Sequence, residues 1–120
     1  MKANELRIGN RVNLYGSEAT IIPNDFEKWF QYEPNWESKA FKPIPLTEEW
    51  FLKFGTKKNE NNDLFIQHPT NELLRFYLVD GFIQETKSDC CPISNYKHIK
   101  YVHQLQNLYF ALTGNELEIK

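Results

Sequence analysis

The feature that most constrains the fold is a dipeptide, Asp80-Gly81, set between two runs rich in β-branched and aromatic residues, ELLRFYLV and FIQET. Asp-Gly satisfies the left-handed dihedrals of a type I′ turn, the turn whose twist matches that of two antiparallel strands. Pairing outward from it sets Val79 opposite Phe82 and Leu78 opposite Ile83, with Phe76 and Tyr77 further along. Such neighbours stabilise each face of a sheet by a few tenths to about 1 kcal/mol per pair. A chain carrying this hairpin needs further strands and helices to cover it.

DLFIQH reads as a short strand ended by Pro69, and GTKKNENND before it as a polar surface loop. Near the N-terminus, LRIGNRVNLYG and SEATII are two extended stretches bent at Gly9-Asn10 and at Tyr15-Gly16-Ser17, which suggests a small meander. PIPLTEEWFLKFG predicts a helix of about two turns. Thr47 is its N-cap, Glu48 and Glu49 complement the positive end, Leu46 staples against Phe51, and Gly55 stops it. Position 50 is Trp, so the full capping box is missing.

KSDCCPISN reads as a loop, followed by a helix from about Tyr96 to Thr113. Ile99, Val102, Leu105, Leu108, Tyr109 and Leu112 recur at three and four, Gly114 supplies the left-handed cap, and Leu117 closes over the end. NDFEKWFQYEPNWESKAF fits either a short amphipathic helix ending before Pro34 or an irregular aromatic strand pair. The expected architecture is a single α+β domain over residues 1–120. A small twisted antiparallel sheet of about five strands carries the short helix at one side and packs the C-terminal amphipathic helix across one face.

Charge narrows the function classes. A net charge of −2 argues against a broadly basic nucleic-acid binder. No run approaches the roughly 20 apolar residues that cross a bilayer, and MKANELRIGN lacks the apolar stretch of an export signal, so a cytoplasmic location is expected. Adjacent Cys90 and Cys91 cannot form the spaced framework that staples small secreted domains.

Catalytic and metal chemistry find little to build on. A zinc site from Cys90, Cys91, His98 and His103 has poor geometry, because neighbouring cysteines point apart and the two histidines lie about 140° apart around a helix. A thiol hydrolase would need Cys90 or Cys91, a base from His68, His98 or His103, and Asp89 as orienter, with no local motif joining them. Glu48 and Glu49 are accounted for as first-turn charges. Isolated glycines give no phosphate cradle. The expectation is a non-enzymatic chain with no catalytic residues, metal or cofactor.

Aromatic residues make up 15% of the chain, and half of them lie between Asn24 and Phe54. Core filling accounts for Phe26, Trp50 and Phe54. Trp29, Phe30, Tyr32 and Trp36, with Lys39 beside them, are the residue types that dominate protein-binding hot spots. Trp36 lies between Pro34-Asn35 and Glu37-Ser38, which offer it little apolar company. This segment is therefore the candidate anchor for a partner or a second copy of the chain. The alternative is single-stranded nucleic acid, held by Arg7, Arg11, Lys28, Lys39 and Lys42 with Trp29, Tyr32 and Trp36 as stacking platforms. Glu27, Glu33 and Glu37 weaken the local field for that role.

Three islands carry a family likeness: NELRIGN at Asn4 to Asn10, PIPLTEEWFLKFG at Pro43 to Gly55, and YVHQLQNLYFALTGNEL at Tyr101 to Leu117. The chain resembles, over a little under a third of its length, a group of short uncharacterised proteins encoded by phages and prophages of Bacteroidetes. The resemblance implies a phage-like genomic context, an α+β domain, and residence in the host cytoplasm. Small accessory proteins of phages often neutralise a host defence complex. The expected function is thus an inhibitor of a host antiviral, CRISPR-type effector, acting on a host protein or ribonucleoprotein complex.

Overall fold

A computed structural model of the chain describes residues 6–22, 41–87 and 91–119. These residues divide into two compact units: those up to Pro45 together with Tyr101–His103, and Leu46–Lys100 together with the residues from Gln104 onward.

In the first unit, β1 (Arg11–Leu14) pairs antiparallel with β2 (Ser17–Thr20) on one side and β3 (Phe41–Lys42) on the other. Tyr15 and Gly16 join β1 to β2 with φ of 51° and 86°, the two left-handed residues of a tight hairpin turn. Asn10 is buried, and its polar groups are answered locally. Arg7 donates its N–H to Asn10 Oδ1, and the Asn10 carbonyl accepts from Ile21 N at 2.8 Å. Side chains alternate across β1, so Val12 is fully buried while Arg11 and Asn13 share the other face. Ile44 also belongs to this unit, where its carbonyl accepts from Val102 N at 2.8 Å.

In the second unit, α1 (Glu48–Lys53) begins at Thr47, whose hydroxyl accepts from Trp50 N at 3.3 Å. It ends at Gly55, whose φ of 74° lies in the left-handed region open to glycine. Trp50, Phe51 and Phe54 are buried. The five strands β4 (Lys57–Lys58), β5 (Leu64–Gln67), β6 (Leu74–Val79), β7 (Phe82–Lys87) and β8 (Cys91–Tyr96) form one antiparallel sheet in sequence order. Asp80 and Gly81 adopt φ of 49° and 83°, and the β6–β7 register pairs Val79 with Phe82 and Leu78 with Ile83, as the dipeptide predicts. One sheet face carries Ile66, Phe76 and Ile83, all buried. Phe76 meets the ring edge of Tyr109, on α2 (Val102–Thr113), at 6.0 Å between centroids. The fold is α+β, with a small antiparallel sheet, a short helix and a longer C-terminal helix, as expected.

Three local expectations differ from the structure. KSDCCPISN is read as a loop, yet Cys91–Tyr96 forms β8, so the C-terminal helix starts at Val102 rather than near Tyr96. Proline is tolerated in the outermost strand of a sheet, and the β7–β8 register shifts by one residue between Glu85 and Thr86, leaving Ile93 as the extra residue. Within GTKKNENND, Lys57–Lys58 pairs with Leu64 and Phe65 as a two-residue strand. On α2, His103 and Gln106 are buried beside Val102, Leu105 and Tyr109, while Leu108 is half-buried and Leu112 is 39% exposed. The buried stripe is therefore rotated from the one that hydrophobicity alone selects.

Candidate functional site

The candidate partner-binding residues Trp29, Phe30, Tyr32, Trp36 and Lys39, and Lys28 of the nucleic-acid alternative, lie outside the described residues. So do Asp89 and Cys90.

Of the remaining basic candidates, Arg11 and Lys42 come together. Arg11 pairs with Thr20, and Asn13 pairs with Glu18 on one side and Lys42 on the other, which places all five on one face of the three-stranded sheet. Arg11 is committed within that face: it donates to Thr20 Oγ1 at 2.8 Å and lies 3.6 Å from the Glu18 carboxylate. Lys42 is exposed. Arg7 sits instead in the turn before β1, where its backbone joins Asn10.

The cysteine and histidine candidates are dispersed. Cys91 is an exposed thiol at the start of β8, His98 stands edge-on to Tyr96, and His103 is buried and stacked on Tyr101 at 6.0 Å. Among the described residues no group of three His, Cys, Asp or Glu side chains could hold a metal ion. No helix among them is long and apolar enough to cross a membrane.

Described residues of the second unit line two concave surfaces, neither of them evident from the sequence. The first, of about 410 Å³, has Tyr77, Gln84 and Thr86 as a floor on the sheet face opposite Phe76. The Asn59–Asp63 loop and Asp80 supply its walls. Asn59 Oδ1 accepts from Asn61 N and Asp63 N, both at 2.9 Å, and its amide donates to Tyr77 Oη at 3.4 Å, so the loop is tied to its floor. Gln84 donates to Asn95 Oδ1 at 2.9 Å, further occupying the polar groups of this face.

The second, of about 300 Å³, lies at the end of β5 and is lined by Phe54, Ile66 and Leu117 with Lys57, His68, Tyr109, Glu116 and Glu118. His68 is held in one orientation. Its Nδ1 accepts from Thr70 N at 3.2 Å and Asn71 N at 3.1 Å, which leaves Nε2 to carry the proton of the neutral ring. The ring stacks on Phe76, and Phe76 in turn meets Tyr109. Burial raises the Tyr109 pKa, so its hydroxyl stays protonated through the physiological range. The sequence signal for this groove is faint, because its members come from the end of α1, β4, the end of β5, α2 and the tail beyond Gly114, with only His68 legible as a functional residue type.

Comparison of the chain with protein-family models, with curated proteins and with solved structures finds no match.

Proposed function

We propose that the chain is a non-enzymatic, phage-type protein-interaction module that inhibits a host antiviral effector complex of the CRISPR kind, by occluding it or blocking its assembly. The observation that supports this reading concerns the aromatics. Those that fill the described core are Trp50, Phe51, Phe54, Phe65, Phe76, Tyr77 and Tyr109. All seven lie on described helices and strands or at a helix end. Trp29, Phe30, Tyr32 and Trp36 lack packing partners implied by sequence periodicity and have the hot-spot composition of a binding segment.

Tagged protein expressed in the bacterial host should retain a defined host complex, identified by mass spectrometry, and retention should survive RNase if the contact is to protein. Trp36→Ala and Tyr32→Ala should each abolish retention while leaving the circular dichroism spectrum and melting curve nearly unchanged. A large loss of stability in either variant assigns the residue to the core and removes the proposed anchor.

A second reading, a single-stranded nucleic-acid accessory protein, draws on Arg11 and Lys42 sharing one sheet face. Glu18, 3.6 Å from Arg11, offsets much of that charge and ranks this reading second. It predicts retention on mixed DNA or RNA that falls steeply with salt and is weakened by Lys42→Ala. No retention at low salt would end it.

A further inference from the structure

We infer that the groove at the end of β5 binds a small zwitterion with an apolar body, a molecule of the amino-acid class. Its lining has three chemically distinct parts contributed by separate segments. Phe54, Ile66 and Leu117 form an apolar wall, and all three belong to or adjoin the buried core. Lys57 on β4 brings a cation. Glu116 and Glu118, beyond the end of α2, bring two carboxylates. A ligand carrying only one sign of charge meets a like charge somewhere in this groove, whereas a zwitterion answers both signs and leaves its side chain for the wall.

Two polar groups of the lining can donate to a ligand. Tyr109 lines the groove, where its protonated hydroxyl is a hydrogen-bond donor. His68 has its Nδ1 committed to two backbone N–H groups, so the ring can offer the groove only an Nε2–H donor. A carboxylate accepts from both His68 Nε2–H and the Tyr109 hydroxyl and is further favoured by Lys57. The ammonium group of the same molecule is favoured by Glu118. The volume, about 300 Å³, matches a ligand of one amino acid and little more.

The full chain, labelled with 15N, is titrated with L-phenylalanine and with its two single-charge analogues, phenethylamine and 3-phenylpropionate. L-Phenylalanine should shift the amide resonances of Gly55, His68 and Leu117 saturably. Each analogue should bind at least about tenfold more weakly, since each loses one of the two charge-assisted contacts. Tyr109→Phe should weaken L-phenylalanine by about tenfold through loss of one hydrogen bond to a charged group. Glu118→Gln, at an exposed position outside the core, should weaken L-phenylalanine and leave 3-phenylpropionate unchanged or tighter. The inference is overturned if L-phenylalanine shifts none of these amides, or if either analogue binds as tightly as the zwitterion. It is equally overturned if Glu118→Gln, with a native-like spectrum, binds all three compounds as the parent chain does.

Discussion

Removing one hydroxyl, by Tyr96→Phe, should destabilise the protein by about 2 kcal/mol, the usual worth of a hydrogen bond to a charged group. The reason lies in the position of Glu85. It sits in the middle of β7, opposite Phe76 on one side and Ser94 on the other, and is only 9% exposed. Tyr96, on β8, donates its hydroxyl to Glu85 Oε1 at 3.0 Å. A phenylalanine keeps the ring and its edge contact with His98, so packing is preserved. What is lost is a donor to a carboxylate that water reaches poorly. With a slope of about 2 kcal/mol per molar urea, the midpoint should fall by about 1 M. Far-ultraviolet circular dichroism reports this change. A double-mutant cycle with Glu85→Gln separates the hydrogen bond from general effects, because the coupling should reach about 1 kcal/mol or more when the neutral amide replaces the charged acceptor. A loss below about 0.5 kcal/mol in Tyr96→Phe, or strictly additive losses in the cycle, would refute the reasoning.

Further outcomes follow from the same unit. Thr47→Ala should cost about 1 kcal/mol, measured as a lowered melting temperature, and Thr47→Ser should restore most of it, since the lost interaction is the hydroxyl that accepts from Trp50 N. Equal melting of the alanine and serine variants would remove the cap from the account. Stability should also fall in alkali. Burial raises the pKa of Tyr109 and, first among its causes, that of Tyr96, each above the ordinary value of 10.0. The folded chain therefore keeps protons that the unfolded chain releases. Their contribution is whole below about pH 10 and is lost as pH rises through the folded values. Urea midpoints of the parent chain should decline across this range, and the decline should be shallower in the Tyr96→Phe/Tyr109→Phe double variant. An unchanged slope would assign the alkaline loss to other groups.

Local chemistry decided the elements whose cause is local. Asp80-Gly81 dictates both the turn and the register that follows from it, because a two-residue I′ turn leaves no freedom in which residues face each other. Thr47, Glu48, Glu49 and Gly55 likewise mark both ends of α1 within nine residues. Together with the spacing of apolar residues after Tyr101, these local rules are enough for an α+β assignment.

Tertiary contacts decided what depends on distant partners. Cys91–Tyr96 contains Pro92 and has no apolar alternation, so nothing in it demands a strand; β7 makes it one by offering a free edge and the Glu85 acceptor for Tyr96. The face that α2 buries is set by what lies against it, which is why His103 and Gln106 go inside while Leu112 does not. Arg11 and Lys42, separated in sequence by about thirty residues, share a face only because β3 pairs with β1. The groove is the extreme case. Lys57, His68, Tyr109 and Glu118 come together only when four segments meet, and burial of the Tyr109 ring against Phe76 is a property of that meeting, which periodicity along the chain has no means to encode.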